Sequence, residues 1–106
     1  MPYAAVNDIQ MYYEEAGRGS PLVLLHGGTG AIDFEGVTSW AGLMPGFAAR
    51  YRAIHLEHRG HGRTRNPAGR LSYGQIAADV CAFIDQLGLA PAHVAGVNAT
   101  VAAIGC

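Results

Sequence analysis

An uninterrupted apolar run at residues 21–25, Pro-Leu-Val-Leu-Leu, is the feature that most constrains how this chain can fold. A strand with one face in water alternates apolar and polar side chains, whereas a strand buried on both faces is apolar throughout. Strands of the second kind occur almost only in parallel sheets that are covered by helices on both sides. The run therefore predicts a central parallel strand of an α/β sheet.

Segments on either side of this run predict further strands. Residues 3–6 and 9–15 favour β structure and are joined by the turn pair Asn7-Asp8, so they predict an antiparallel hairpin. Residues 52–56 and 93–97 predict two more strands. In the second part of the chain strands and helical patterns alternate, which implies right-handed crossovers and a parallel sheet.

Two stripes of apolar residues predict the helices between the parallel strands. The first helix is expected to begin near Leu43, because Pro45 is tolerated only in a first turn. The second begins at an S-x-x-Q capping box, Ser72 and Gln75, and ends at Gly88. We interpret both stripes as core faces, made of Trp40, Leu43, Met44, Phe47 and Ala48 in the first helix and of Ile76, Val80, Phe83, Ile84 and Leu87 in the second.

Length, charge and cysteine content exclude several classes of protein. A chain of 106 residues forms one domain at most, and a formal net charge of -1 gives no reason to expect nucleic acid or an anionic membrane as a partner. The N-terminus lacks a secretory signal, and no apolar run approaches the roughly 18 residues of a membrane span, so we expect a cytoplasmic protein. Cys81 and Cys106 lack CxxC spacing and are interpreted as ordinary thiols.

A glycine-rich loop, His26-Gly27-Gly28-Thr29-Gly30, follows the apolar strand at once. So much glycine leaves backbone N–H groups able to face a ligand, although a plain turn after a buried strand is the simpler alternative. A dinucleotide loop is disfavoured, because Asp33 stands where the third glycine of G-x-G-x-x-G belongs.

A second loop, residues 57–71, contains four arginines and no apolar period. These arginines could grip a phosphate, but a solvated loop is the favoured interpretation. They are Arg59, Arg63, Arg65 and Arg70.

Three histidines at spacings of three, His55, His58 and His61, suggest a metal site. Alternation along the strand turns His55 away from its neighbours, and no carboxylate or cysteine cluster accompanies the three. We therefore expect neither a metal ion nor another cofactor.

The last predicted strand runs into Gly96-Val97-Asn98-Ala99-Thr100, which has the outline of the strand-to-helix nucleophile elbow G-x-S-x-G. Asn98 occupies the serine position, and its amide has no ionisable oxygen with which to attack an acyl carbon. Asparagine tolerates left-handed backbone, so the turn itself can persist. Thr100 is expected to crowd the strand, and it lies inside the first helical turn, so it is no substitute nucleophile.

Taken in chain order, these motifs resemble the N-terminal half of an α/β-hydrolase. The resemblance rests on the apolar strand with His26-Gly27-Gly28, on Trp40, on Arg59-Gly60-His61-Gly62-Arg63-Thr64 and on the Asn98 turn. Glu57 and Thr64 stand where the family usually has Asp and Ser. The resemblance implies strand order 1-2-4-3-5, an oxyanion hole from the N–H groups of Gly28 and Ala99 with His26 and Gly27 as support, and a structural turn at residues 59–64.

The resemblance also implies what to expect of the activity. Complete relatives hydrolyse esters or related small molecules through a serine, and take their acid and catalytic histidine from later strands. We expect a single partial domain over residues 1–106, truncated before those strands and the lid, with no turnover. Three alternatives stay open: an inactive protein that still binds a small molecule, a fragment completed by a partner chain, and a gene product frameshifted near Asn98. The exposed edge at residues 93–97 predicts self-association.

Overall fold

One mixed five-stranded sheet organises the computed structural model, which describes residues 3–26 and 41–96. The strands follow the order β1-β2-β4-β3-β5, as the resemblance implied. Their bounds are Tyr3–Val6 for β1, Ile9–Ala16 for β2, Ser20–Leu25 for β3, Tyr51–Leu56 for β4 and His93–Gly96 for β5.

The pairing of the strands confirms the predicted hairpin and parallel sheet. β1 pairs antiparallel with β2 across a turn in which Asn7 has a φ of 52°, a left-handed conformation that asparagine tolerates. β2 pairs antiparallel with β4, whereas β3 pairs parallel with both β4 and β5. Leu25 lies opposite both Leu56 and Gly96, so β3, β4 and β5 end at the same edge of the sheet.

The second predicted helix is confirmed as α2, Tyr73–Gln86. The Ser72 hydroxyl accepts a hydrogen bond from the Gln75 N–H at 3.1 Å, which is half of the predicted capping box. The second hydrogen bond of a capping box, in which the Gln75 side chain would reach back to the Ser72 backbone, is wrong, because the Gln75 side chain donates to Asp79 instead. Gly88 follows the helix with a φ of 64°. The predicted stripe packs on the sheet, with Ile76, Val80, Phe83 and Ile84 buried and Leu87 partly buried.

The first predicted helix begins near Leu43 as expected, but it does not present a buried stripe. A 3₁₀ turn, Ala41–Leu43, precedes α1, which spans only Met44–Ala48 and contains no buried residue. Leu43 is 57% exposed, so the interpretation of this stripe as core is wrong for the described residues. Pro45 confines the α-helix to the residues after Leu43, and β4 begins at Tyr51, which leaves too few turns for a stripe. Trp40 lies outside the described residues.

Cys81 is disulfide-bonded, which corrects its interpretation as a thiol, because sequence spacing does not reveal which residues the fold brings together. The sequence contains one other cysteine, Cys106, which lies outside the described residues.

Neither α1 nor α2, the helices in residues 3–26 and 41–96, is long and apolar enough to cross a membrane.

Candidate functional site

The candidate site lies at the edge where β3, β4 and β5 end. Open α/β sheets bind ligands outside the carboxyl ends of their strands. His26 follows β3 and Glu57 follows β4 at this edge, so the structure brings together the start of the glycine-rich loop and the turn after β4. Gly27, Gly28, Asn98 and Ala99 lie outside the described residues, and their predicted roles stay predictions.

His26 connects the two loops. Its side chain is completely buried, and its Nε2 accepts a hydrogen bond from the backbone N–H of His58 at 3.0 Å. A ring nitrogen that accepts carries no proton, so the neutral His26 ring carries its proton on Nδ1. The bond fixes the residue before Gly27 against the turn after β4, which is compatible with the predicted supporting role of His26.

Three histidine rings pack together beside this bond. The ring centroid of His26 lies 4.5 Å from that of His58 and 5.0 Å from that of His61. His61 Nδ1 donates to the Arg59 carbonyl oxygen at 3.0 Å. The sequence analysis turned His55 away from His58 and His61 and did not connect His26 with them, whereas the structure packs the His26 ring against both. Among residues 3–26 and 41–96, no three His, Cys, Asp or Glu side chains are arranged to hold a metal ion.

His58 is held in its neutral form. Burial first, and then repulsion by positive charge on His26 and His61, lowers the pKa of His58 to about 3. The backbone of His26 lies near the ring and favours the charged form, but it makes no hydrogen bond of good geometry with it. Protonation of His58 therefore opposes the folded state.

We expect stability to fall as the pH is lowered from 7 to 5. The pKa of His58 is lower in the folded chain than its ordinary value of 6.5, so the unfolded chain binds the extra proton over this range. Its contribution is fully present above pH 6.5 and declines by up to about 1.4 kcal/mol per pH unit below it. Urea unfolding at pH 7, 6 and 5 measures the slope. His58→Phe should flatten it and the exposed-site change His93→Gln should not; a wild-type slope in His58→Phe would contradict this assignment.

Arg59 is buried, which contradicts the solvated-loop interpretation for this residue. Its side chain is 1% exposed, and its Nε and Nη2 donate to the two carboxylate oxygens of Asp79 at 2.7 and 2.9 Å. Nη2 also donates to Asp8 at 2.6 Å. The hydrogen bonds to Asp79, and after them those to Asp8, raise the pKa of Arg59. Arg59 in turn lowers the pKa of Asp8. A guanidinium fork that meets two carboxylates is stable in the interior, where a lone cation is not.

Asp79 is the centre of this buried network. Besides the two bonds from Arg59, its carboxylate accepts from Asn7 Nδ2 at 2.9 Å and from Gln75 Nε2 at 3.0 Å. It thereby ties α2 to the β1–β2 turn and to the turn after β4. Sequence reasoning missed Asp79, although a signal existed: it lies between Ile76 and Val80 on the buried face of the helix, where a carboxylate needs a partner.

Glu57 organises the second half of the turn. Its carboxylate is completely buried and accepts from the Arg63 backbone N–H at 2.8 Å and from Arg63 Nε at 3.3 Å. The Arg63 guanidinium carbon also lies 4.0 Å from the centre of the Tyr12 ring, a cation–π contact. The Thr64 hydroxyl accepts from the Tyr12 N–H at 2.9 Å. Arg63 is thus only partly solvated, and the solvated interpretation holds for Arg65 and Arg70, which are exposed.

The described part of the site is therefore a rigid scaffold. Its carboxylates accept hydrogen bonds from arginines. These and the other buried hydrogen bonds hold together the turns at the sheet edge.

Known sequences match most of this chain. The family described as the alpha/beta hydrolase fold matches residues 20–97. RutD of Azorhizobium caulinodans, named as a carbamate hydrolase, is 36% identical over 96 residues, which cover 91% of this chain and 34% of RutD. BpoC of Mycobacterium tuberculosis, named as a non-heme bromoperoxidase, is 38% identical over 91 residues, or 85% of this chain and 33% of BpoC. The chain spans about a third of the length of these relatives.

Solved structures resemble the fold closely. Est816, described as an N-acyl homoserine lactone degrading enzyme, superimposes with a TM-score of 0.82 at 29% identity, over 96% of this chain and 38% of Est816. The enol-lactonase from Burkholderia xenovorans LB400 gives a TM-score of 0.80 at 27% identity, over 96% of this chain and 39% of the enzyme. The sheet and its flanking helices thus match about two fifths of each of these chains.

Proposed function

This chain belongs to the alpha/beta hydrolase fold family, and from that premise we propose that it carries the nucleophile strand of a hydrolase domain without serine-type turnover. The observation that carries the proposal is the register of β5. Gly96 ends β5 opposite Leu25, the last residue of β3, so residue 98 follows at the edge where the family has its nucleophile. That residue is Asn98.

Asparagine cannot replace serine in this reaction. Serine-type hydrolysis requires a hydroxyl that an adjacent base deprotonates as the oxygen attacks the acyl carbon. The side-chain oxygen of an amide is a carbonyl oxygen, and its nitrogen is a donor, so Asn98 forms no acyl-enzyme. The matched family region also ends at residue 97, directly before this position.

The scaffold favours acyl compounds as the substrates of a complete, serine-containing form of this chain. Its relatives include a protein named for carbamate hydrolysis and two enzymes whose descriptions name lactones. The glycine-rich loop after β3 supplies backbone N–H groups for an oxyanion in this proposal. Esters and lactones are accordingly the probes for testing activity.

We expect the 106-residue chain to release p-nitrophenolate from p-nitrophenyl acetate and butyrate no faster than the heat-denatured chain does. Asn98→Ser should stay at this background too, because a serine also needs a base and His26 already uses its Nε2 as an acceptor. The measurement is absorbance at constant pH, with a γ-lactone followed by proton release as a second substrate. Turnover in the unmodified chain that Asn98→Ala abolishes would contradict the proposal.

A further inference from the structure

His58 is a buried imidazole that the fold leaves without hydrogen bonds to the described residues. Its ring is 1% exposed, and neither Nδ1 nor Nε2 has a hydrogen-bond partner within the described ranges 3–26 and 41–96. Buried polar groups in native structures are nearly always satisfied, so an exception needs a reason. The scaffold described above gives the His58 side chain none, since it uses only the backbone N–H and the backbone carbonyl oxygen of this residue.

The hydrogen bond made by that N–H is sensitive to protons. His26 Nε2 accepts it, and an imidazolium carries hydrogens on both nitrogens. Protonation of His26 at Nε2 would therefore replace an acceptor with a donor and remove the bond. A charge on any of the three rings would also repel charge on the others, whose centroids are 4.5 to 6.5 Å apart.

The titratable groups around His58 are three further histidines and two carboxylates that are paired with arginines. The ring faces His26 from the end of β3, His55 from β4 and His61 from the turn. The neighbouring carboxylates, Glu57 and Asp79, accept from Arg63 and Arg59. These two ion pairs hold the turn after β4 in place whether the histidines are charged or neutral. Loss of the histidine contact therefore has a local effect.

We propose that His26, His58 and His61 form an acid-sensitive latch at the carboxyl edge of the sheet. When neutral, the cluster fastens the residue that precedes Gly27 to the turn after β4. When protonated, it releases that residue while α2 and the strands stay folded. The latch thus couples pH to the hydrogen bond that holds His26 against the turn after β4, and it does not depend on turnover.

Amide hydrogen exchange at His58 tests the latch, because its N–H is the donor of the hydrogen bond in question. Exchange followed by NMR at pH 7.5 and 5.5, corrected for the intrinsic pH dependence of exchange, should show the protection of the His58 amide falling by roughly tenfold or more. The amides of Val80 and Phe83 in α2 report global unfolding and should lose only the protection that the fall in stability measured by urea unfolding accounts for, and the loss at the His58 amide should exceed theirs. Equal losses at all three amides, or an unchanged His58 amide, would overturn the proposal.

His26→Gln is the decisive variant. The Gln side-chain oxygen can take the place of Nε2 as an acceptor, but it does not protonate in this pH range. We expect the His58 amide in His26→Gln to be protected at pH 7.5 and to keep that protection at pH 5.5. His93→Gln, a change outside the cluster, should keep the wild-type pH dependence. The same loss of protection in His26→Gln as in the unmodified chain would overturn the latch.

Discussion

Asp79→Ala is expected to lower the free energy of unfolding by about 3–5 kcal/mol, the largest effect of any single substitution considered for this chain. The change removes the carboxylate that accepts two hydrogen bonds from Arg59 and one each from Asn7 and Gln75. It leaves the Arg59 guanidinium buried with Asp8 and Asn66 as its remaining side-chain acceptors. Removing one partner of a buried pair costs more than the pair itself contributes, because the other charge stays desolvated. Urea unfolding at pH 7 measures the loss.

Asp85 is the matched control, because it lies on the same helix with its side chain exposed. Asp85→Ala should change the free energy of unfolding by less than about 0.5 kcal/mol. Asp8→Ala should fall between the two, since the Asp8 side chain is half exposed and its partner keeps Asp79. Similar losses for Asp79→Ala and Asp85→Ala would contradict the central role of Asp79.

Gly62→Ala is expected to destabilise the chain by about 2–5 kcal/mol, the sum of backbone strain and overpacking. Gly62 has a φ of 53°, which an L side chain adopts only at a cost. A Cβ at this position would also collide with the buried carboxylate of Glu57. That carboxylate can move only by giving up its hydrogen bonds to Arg63. Thermal and urea unfolding measure the loss.

Gly69 separates the two causes. It has a φ of 75°, and a Cβ there would meet no described atom within 4 Å. Gly69→Ala should therefore cost about 1–2 kcal/mol, for backbone strain alone. The difference between the two variants is the contribution of the Glu57 carboxylate. Equal losses in Gly62→Ala and Gly69→Ala would show that the fit around Glu57 contributes nothing.

Local patterns predicted most of the sheet and the second helix. The apolar run of β3, the Asn7-Asp8 turn and the stripe of α2 each depend on residues a few positions apart, so they can be read along the chain. The strand order came from the family resemblance and is also confirmed. The interpretation of the first helix's apolar stripe as a core face is wrong, because periodicity does not show how many turns fit between Pro45 and the start of β4 at Tyr51.

The polar network of the site could not be predicted in the same way. Arg59 lies in a loop whose composition indicates solvent, and its partners are 51 residues before it and 20 residues after it. His26 and His58 are 32 residues apart and meet only because β3 and β4 are neighbours in the sheet. Such pairs depend on the tertiary fold. The assignments of Asn98, Gly28 and Ala99 rest on the family pattern and stay predictions.

The central claim is that this hydrolase-fold chain has no nucleophile at the elbow position. The masses of the intact chain and of its peptides after incubation with p-nitrophenyl acetate test it most directly. All seven residues of the Lys and Arg total are arginine, so no lysine is present to give background acetylation. We predict that no acetyl group is carried by the peptide that contains Asn98 and Thr100. One acetyl group per chain on that peptide, formed by the folded chain and absent after denaturation, would contradict the claim.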